Sequence, residues 1–337
     1  MIRNAIAKMV EGRDLQEAEM TAVMGKIMDG EGTDAQIGAF MTALRMKGET
    51  IDEVTGAARA MRRRAVRVDA RSLLIVDTCG TGGDGRGTFN ISTTTAFVVA
   101  AAGIVVAKHG NRAVSSGCGS ADLLEALGVN IDAGIETVEA CLQEIGIGFL
   151  FAPRLHPAMK YVQPIRKSLD FQTAFNILGP LANPAGAQAQ VMGVADESLM
   201  GRIAETLRML GLKRAMVVHS NGLDEISTMG PTKLLHLRED GTLVPEDLHP
   251  ELFGIRQADF NDLSGGDAET NAVLVREVIN GKSRGPRKDI VVLNAAAAII
   301  VAGLAEDFAE GIERADAAIE SGNAAACLEK LIEISNR

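Results

Sequence analysis

Apolar residues in the first seventy positions recur at the three- and four-residue spacing of amphipathic helices, as at Ile37, Phe40, Met41 and Leu44. Helix starts in this segment are marked by an oxygen-bearing side chain three positions before Glu or Gln, a pairing that satisfies free N–H groups. These pairs are Asp14 with Glu17, Thr33 with Gln36, and Thr50 with Glu53. Because no strand-like alternation occurs there, residues 1–70 are predicted to form a small all-helical domain.

Beyond residue 71, continuous apolar runs alternate with amphipathic stretches. The strand-like runs are 72–77, 104–107, 147–151, 190–194 and 214–219, and helical patterns separate them. Strands that alternate with helices imply crossover connections and a largely parallel sheet. The segments 233–238 and 242–245, joined by Glu239-Asp240-Gly241, instead predict an antiparallel hairpin, and helices follow from about residue 268. The predicted fold class is α/β, with residues 71–337 forming a larger domain whose mostly parallel sheet is flanked by helices.

A proline-containing stretch interrupts this alternation between residues 154 and 184. Its amphipathic part, residues 161–177, has an apolar face that no neighbouring strand pattern accounts for. We expect this segment to return to the N-terminal helices, so that residues of about 162–185 complete the helical domain.

Composition restricts the class of partner. The chain has 337 residues, 34 Lys and Arg against 44 Asp and Glu, and a formal net charge of −10. An acidic balance disfavours nucleic-acid and anionic-membrane partners, which attract basic proteins. Aromatic residues amount to 3%, too few for stacking on single-stranded nucleic acid. The apolar run 290–305 is shorter than a membrane span, and the charged opening lacks the apolar stretch of a secretion signal. Four cysteines without a C-x-x-C pair fit a reducing cytoplasm.

The most informative polar segment is 77–93, DTCGTGGDGRGTFNIST. A predicted strand runs into Gly80-Thr81-Gly82-Gly83, and a helix is predicted to start near Ser92. Glycines let the backbone approach a ligand, and a helix N-terminus offers free N–H groups to phosphate. A glycine turn with an ordinary cap explains the glycines alone, but the addition of Asp84 and Asn90 favours anion binding. The spacing is neither G-x-G-x-x-G nor a Walker loop.

Two further polar clusters follow predicted strands. Lys108 and Arg112 lie in the first, 108–122, and supply local positive charge at the sheet edge where ligands bind in α/β folds. A solvated pair of cations and a core histidine at His109 are the alternative. Asp224 and Glu225 lie in the second, 219–227, and are compatible with a magnesium site or with solvated acids. Cys79 and Cys118 have no evident base, so no covalent nucleophile is predicted.

At these motifs the sequence resembles the anthranilate phosphoribosyltransferase family. The matching motifs are GTGGD at 80–84, TFNIST at 88–93, KHGNR at 108–112, SS-x-x-GSAD at 115–122, PIRK at 164–167, FNILGPLANP at 175–184 and LDEIS at 223–227. The resemblance implies Mg²⁺-dependent transfer of phosphoribosyl from 5-phosphoribosyl pyrophosphate to the amino group of anthranilate, in tryptophan biosynthesis. It also implies a hinge between the two domains, the phosphorylase/phosphoribosyltransferase fold, two Mg²⁺ ions per subunit and a cytoplasmic homodimer.

The resemblance also implies site residues by motif position. Those for phosphoribosyl pyrophosphate are Gly80, Gly83, Asp84, Thr88, Asn90, Ile91, Ser92, Thr93, Lys108, His109, Gly110, Asn111, Arg112, Ala113, Val114, Ser115, Ser116 and Ser120. Those for anthranilate are Gly80, Asn111 and Arg166, with His109 close by, and those for Mg²⁺ are Ser92, Asp224 and Glu225. Two positions depart from the family pattern: Gly117 stands where many relatives have Lys, and Gln172 where relatives often have Arg.

Other functions are compatible with parts of this pattern. A pyrimidine nucleoside phosphorylase uses a related fold for the reverse kind of glycosyl transfer, with free phosphate. A non-catalytic relative that binds nucleic acid is a second alternative, against which the net charge and the few aromatic residues count. A structural or interaction module is a third, although it needs no cluster of three polar loops. The combination of GTGGD, KHGNR and Asp224-Glu225 favours the pyrophosphate reaction.

Overall fold

The N-terminal segment of the structure, a computed structural model that describes residues 1–70, 74–113 and 117–337, consists of helices. They are α1 (Ile2–Val10), α2 (Glu17–Met28), α3 (Asp34–Lys47) and α4 (Ile51–Arg64). Two of the predicted caps are confirmed: the hydroxyls of Thr33 and Thr50 each accept the backbone N–H three residues later at 3.3 Å.

The predicted cap at Asp14 is wrong. Gln16 precedes α2, and its N–H donates to Glu19 Oε2 at 3.1 Å. Asp14 instead forms an ion pair with the largely buried ammonium group of Lys47. Lys47 Nζ lies 2.6 Å from Asp14 Oδ1 and 2.9 Å from Glu53 Oε2. A buried cation between two carboxylates outweighs one helix-capping hydrogen bond, because burying it unpaired is costly.

A sheet of seven strands forms the centre of the described chain. The strands are β1 (Ile75–Gly80), β2 (Val105–Gly110), β3 (Ile147–Phe151), β4 (Ala189–Gly193), β5 (Arg214–His219), β6 (Thr232–Leu237) and β7 (Leu243–Leu248). Their order is β3-β2-β1-β4-β5-β6-β7, parallel from β3 to β5, with β6 and β7 antiparallel. The chain winds outward from β1 on one side and from β4 on the other. The carboxyl ends of β1 and β4 therefore flank a crevice of the kind in which α/β proteins bind ligands.

Helices connect and cover these strands. They are α5 (Ile91–Ala101), α6 (Ser120–Ala126), α7 (Ile135–Ile145), α8 (Ala152–Leu155), α9 (Gln163–Leu169), α10 (Phe175–Leu178), α11 (Met200–Met209), α12 (Phe260–Leu263), α13 (Ala268–Ile279), α14 (Pro286–Val301), α15 (Phe308–Glu320) and α16 (Asn323–Ser335). The α/β class predicted from the alternating pattern is confirmed. The apolar run near residue 290 is α14, buried on all sides from Ile290 to Val301, and no helix in the described ranges is long and apolar enough to cross a membrane.

Alternating residues of the described strands contribute to three apolar cores, the smallest of which contains Ile75, Ala107 and Leu150. Val76, Val191 and Val218 face a core that contains α5 and α14. Met192 and Val217 face the opposite way, into a core shared with α1–α4 and α11. Segment 161–177 also enters this second core, since Ile165 of α9 lies close to Gly38 of α3. The carboxyl edge of the sheet thus borders the N-terminal helices.

Candidate active site

The loop after β1, residues 81–90, is the glycine-rich loop, and it lies against the end of β4 and the acidic loop after β5. Thr81 N–H donates to the Gly193 carbonyl oxygen at 3.0 Å, and Gly82 N–H donates to Asp224 Oδ2 at 2.7 Å. A Cβ atom on Gly80 would overlap Asp224 Oδ2, so only glycine permits this approach. Gly82 and Gly83 have φ of +67° and +78°, which other residues rarely adopt. The glycines therefore bring a backbone loop onto a carboxylate.

Helix α5 begins where the glycine-rich loop ends. Asn90 precedes its first residue, Ile91, and Ser92 and Thr93 lie in its first turn. The free N–H groups and the positive dipole end of this helix consequently point toward the glycine-rich loop. The helix start predicted near Ser92 is one residue from the observed start, whereas β1 continues to Gly80, three residues beyond the predicted end of the strand.

The sequence analysis placed Lys108 and His109 in a loop. In the structure both residues belong to β2, which continues to Gly110, and both are buried. The strand extends this far because β3 pairs with it up to the pair of Gly110 with Phe151. The apolar run in the sequence ends at residue 107 and does not indicate this register. Lys108 Nζ donates to the Thr78 carbonyl oxygen and to Ser92 Oγ, the latter at 3.3 Å. The ammonium group therefore lies between the end of β1 and the start of α5.

Three carboxylates gather at the glycine-rich loop, and Lys108 lies close enough to one of them, Glu225, to act on its pKa. Asp224 and Glu225 follow β5, and Asp84 approaches them from the glycine-rich loop. Burial, then the neighbouring Asp84 carboxylate, raises the pKa of Asp224 to about 6. Burial, then the Asp224 carboxylate, raises the pKa of Glu225 well above its ordinary value, while the Ser92 N–H and Lys108 act in the opposite direction. Such pKa values mark a place where additional positive charge is favourable.

The oxygen atoms of these acids suit a Mg²⁺ ion that is also bound by water and phosphate better than a metal ion held entirely by protein side chains. Within the described residues, no group of three or more His, Cys, Asp and Glu side chains has an arrangement that holds a metal ion. Mg²⁺ is usually held by one or two carboxylates together with waters and substrate phosphates. Asp224, Glu225 and the Ser92 hydroxyl fit that mode of binding.

The turn between β2 and α6 is held by Asp122. Its Oδ2 accepts hydrogen bonds from Ala113 N–H at 2.8 Å and Gly119 N–H at 2.9 Å. Ser120 Oγ donates to the Asn111 carbonyl oxygen at 3.3 Å. The predicted ligands Val114, Ser115 and Ser116 lie outside the described residues.

The cation predicted at Arg112 already has partners. Its guanidinium pairs with Asp122 Oδ1 at 3.0 Å and Glu125 Oε2 at 2.8 Å on the surface of α6. Lys108 is therefore the cation that the described structure brings to the acidic cluster, while Arg112 stabilises the turn.

Arg166 lies on α9, on the side of the crevice that faces the N-terminal helices. It is half-buried over the Phe175 ring, 5.4 Å from guanidinium carbon to ring centroid. Its hydrogen bonds, to Gln163 Oε1 at 3.4 Å and Asn176 Oδ1 at 3.5 Å, are long. Within residues 1–70, 74–113 and 117–337 it forms no ion pair, so its fork is available to an anionic ligand.

His156 is a residue that the sequence analysis missed. Its ring lies 5.1 Å from that of His109, and both side chains are buried. Neither nitrogen of His156, nor Nε2 of His109, has a hydrogen-bond partner among the residues that the structure describes. Burial lowers the pKa of His109 to about 3 and that of His156 to about 4, so both are uncharged at neutral pH. The available signal was weak: a histidine five residues after the end of a predicted strand.

The two departures from the family pattern also lie at the crevice. A Cβ atom on Gly83 would lie 2.6 Å from Gln172 Nε2, so Gln172 reaches across to the glycine-rich loop. A Cβ atom on Gly117 would lie 3.3 Å from the Gly266 carbonyl oxygen, a close contact with backbone. Gln172 therefore connects the segment that carries Arg166 to the loop that carries Asp84.

Comparison with known proteins agrees with this geometry. Residues 72–325 match the glycosyl transferase family a/b domain, and residues 3–65 match the glycosyl transferase family helical bundle domain. The anthranilate phosphoribosyltransferase of Syntrophobacter fumaroxidans is 56% identical over 338 residues, which covers 100% of this chain and 99% of the relative.

Solved structures show the same similarity. The crystal structure of the Thermus thermophilus anthranilate phosphoribosyltransferase superimposes with a TM-score of 0.94 at 41% identity, covering 99% of both chains. The Saccharomyces cerevisiae enzyme in complex with PRPP and Mg superimposes with a TM-score of 0.92 at 28% identity, covering 99% of this chain and 98% of the other. The chain belongs to the anthranilate phosphoribosyltransferase family.

Proposed function

We propose that the crevice between the carboxyl edge of the sheet and the N-terminal helices performs the reaction of the family. The reaction moves the 5-phosphoribosyl group from phosphoribosyl pyrophosphate to the amino group of anthranilate, in tryptophan biosynthesis. The amino nitrogen forms a bond to C1 of the ribose, the bond from C1 to the pyrophosphate oxygen breaks, and the nitrogen loses a proton. The observation that carries this proposal is the convergence of Lys108, the start of α5 and three carboxylates on the glycine-rich loop.

The chain's own groups account for the pyrophosphate side. Negative charge grows on the leaving pyrophosphate as the bond to C1 breaks. The amide hydrogens at the start of α5, together with the Lys108 ammonium, are proposed to stabilise that charge. Because these groups are fixed by backbone and strand packing, they need no rearrangement during the reaction.

The acidic cluster implies magnesium. Asp224, Glu225 and the Ser92 hydroxyl are the proposed ligands, and the raised pKa values of Asp224 and Glu225 support a resident cation. We propose two ions per subunit, each of which keeps waters and phosphate oxygens in addition to these protein ligands. When bound, Mg²⁺ supplies positive charge to the pyrophosphate oxygens. The yeast relative was crystallised with PRPP and Mg.

Recognition of anthranilate is assigned to the other side. Arg166 is proposed to pair with the anthranilate carboxylate, and Asn111 and Gly80 to lie near its ring. The uncharged pair His109 and His156 provides an apolar wall with ring nitrogens still able to form hydrogen bonds. Anthranilate is a weak nucleophile, so the main contribution of these residues is orientation, which supplies roughly 7–11 kcal/mol in favourable cases.

Domain organisation and assembly are proposed as follows. Residues 1–70 with about 162–185 form the helical domain, supported by the shared core around Ile165. Residues 71–337 form the α/β domain, and movement between the two closes the crevice and excludes water. We further propose a cytoplasmic homodimer that acts on small molecules, without nucleic-acid or membrane partners. Free thiols at Cys79, Cys118, Cys141 and Cys327 support a reducing compartment.

The test is to mix the purified chain with anthranilate, phosphoribosyl pyrophosphate and Mg²⁺ and to follow the loss of anthranilate fluorescence. We expect loss that depends on all three components. Parallel reactions with thymidine and phosphate, and a DNA mobility-shift assay, test the two alternatives and are expected to be negative. Pyrimidine release without anthranilate consumption would contradict the proposal.

A further inference from the structure

Asn271 connects two loops of the pyrophosphate side without belonging to either. It is the fourth residue of α13 and is 2% exposed. Its Nδ2 donates to Asn90 Oδ1 at 2.9 Å, and its Oδ1 accepts from Gly266 N–H at 2.8 Å. Asn90 in turn donates from Nδ2 to the Cys118 carbonyl oxygen at 3.1 Å. A buried chain of hydrogen bonds thus runs from residue 266 to residue 118.

The direction of this chain is fixed at both ends. Gly266 supplies a backbone N–H, which can only donate, so Asn271 presents its oxygen there and its NH₂ to Asn90. Cys118 supplies a carbonyl oxygen, which can only accept, so Asn90 presents its NH₂ there. An amide side chain has one accepting and one donating end. Each asparagine therefore has a single orientation that satisfies its neighbours.

The backbone around Asn271 is fitted closely to the glycine-rich loop. Phe89 N–H donates to the Leu263 carbonyl oxygen at 3.1 Å, and Gly265 N–H donates to the Gly87 carbonyl oxygen at 2.9 Å. A Cβ atom on Gly265 would lie 2.8 Å from both Asn271 Oδ1 and Phe89 Cα. The segment 263–266 is consequently held between the exit of the glycine-rich loop and α13.

We propose that Asn271 is a positioning residue for phosphoribosyl pyrophosphate. By donating to Asn90 Oδ1, it fixes the amide direction of Asn90 and the spacing between the glycine-rich loop and the turn at 117–120. This assignment rests on the proposed function, in which those two loops bind the pyrophosphate sugar. Asn271 acts through Asn90 and makes no contact with substrate.

The substitution Asn271→Asp tests the assignment with almost no change in shape. One carboxylate oxygen still accepts from Gly266 N–H, but the other faces Asn90 Oδ1, and an inverted Asn90 would turn its oxygen toward the Cys118 carbonyl. Either orientation loses a buried hydrogen bond. We expect KM for phosphoribosyl pyrophosphate to rise about tenfold. The kcat and the KM for anthranilate are expected to stay within twofold of wild type.

A double variant separates positioning from general structural support. In an Asn90→Ala background, Asn271→Asp is expected to change KM for phosphoribosyl pyrophosphate less than twofold, because the Asn90 amide through which Asn271 is proposed to act is absent. Effects that multiply in the double variant would overturn the proposal, as would an unchanged KM in the single variant. If Asn271→Asp fails to fold, Asn271→Ala is judged by the same criteria.

Two controls complete the experiment. Asn280→Asp makes the same chemical change at the exposed end of α13, where Nδ2 donates to the Arg276 carbonyl oxygen of the same helix, and is expected to have wild-type kinetics. The wild-type chain is measured first. Absence of anthranilate consumption in wild type would contradict the proposed function, whereas an active wild type with unchanged Asn271→Asp kinetics would contradict only the assignment of Asn271.

Discussion

The two sides of the crevice differ in how their polar groups are satisfied. On the proposed pyrophosphate side, Lys108 and Asp224 each have hydrogen-bond partners, and Lys108 acts to lower the pKa of Glu225. On the proposed anthranilate side, called the acceptor side below, His109 and His156 are buried and uncharged, and the hydrogen bonds that Arg166 makes within the described residues are long. The polar groups described on the first side have partners within the protein, whereas His109 Nε2 and both nitrogens of His156 have none among the described residues.

This difference matches the ligand proposed for each side. A pyrophosphate sugar carries several negative charges, and fixed dipoles with a cation stabilise them in a site that excludes water. Anthranilate is a flat ring with a single carboxylate, so shape and one charged fork are sufficient. The buried ring nitrogens that lack partners among the described residues carry an energetic cost. Each side can accordingly be perturbed without the other.

The largest effect is expected from removing the acidic pair. In a variant with Asp224→Asn and Glu225→Gln, the proposed magnesium ligands lose their charge. We expect kcat/KM to fall about 10²–10³-fold, the range found when one charge-stabilising group is lost. Initial rates measured across Mg²⁺ concentrations should also show weaker dependence on the ion. The adjacent acids Glu246 and Asp247, both exposed on the edge strand β7, provide a matched double variant with unchanged rates. Intact Mg²⁺ dependence in the first variant would rule out the proposed ligands.

Arg166→Ala perturbs only the acceptor side. The loss of a charge-assisted fork to the anthranilate carboxylate is expected to raise the anthranilate KM about tenfold to thirtyfold, with the KM for the sugar unchanged. Arg166→Lys keeps the charge but not the fork, so its KM is expected to be intermediate. Lys167→Ala, at the exposed neighbouring position, serves as control. Steady-state kinetics with each substrate varied in turn give the answer. An unchanged anthranilate KM in Arg166→Ala would remove this residue from the acceptor site.

The sequence predicted the pyrophosphate side better than the acceptor side, for a physical reason. Strands β3 and β5 begin and end where their apolar runs do, and the polar residues next to such ends meet at one edge. His156 meets His109 only through the path of the chain after β3. The carboxylate of Asp14 was assigned to a helix cap because the buried Lys47 that attracts it is 33 residues away. The local sequence pattern therefore predicts where strands end, whereas tertiary packing determines which side chains contact one another.

The buried histidines make the acceptor side sensitive to acid. Burial lowers the pKa of His156 to about 4, so the folded chain keeps this ring neutral while the unfolded chain protonates it near pH 6.5. Its contribution to stability is complete above that pH and is lost as the pH falls from about 6.5 toward 4. Between pH 7 and pH 5, the free energy of unfolding is expected to fall by about 1–2 kcal/mol more in wild type than in His156→Leu.

Urea unfolding at the two pH values measures this difference, and groups that titrate in both proteins cancel. The partly exposed His249 provides the control variant, His249→Leu, which is expected to lose as much stability as wild type. Equal losses in wild type and His156→Leu would mean that the histidine pair is not held neutral by the fold.

The smallest expected effect concerns the contact between the two sides. Gln172 extends from the acceptor segment to Gly83, so Gln172→Arg places a cation beside the pyrophosphate loop. The position is exposed, and exposed charges act through water, so the gain is modest. We expect KM for phosphoribosyl pyrophosphate to fall about twofold to threefold at low ionic strength and to return to wild type in about 0.5 M salt. Gln172→Met, which keeps the length without charge, separates the electrostatic effect from the contact itself. If Gln172→Arg instead changed the anthranilate KM alone, Gln172 would belong to the acceptor side, and the contact with Gly83 would not couple the two.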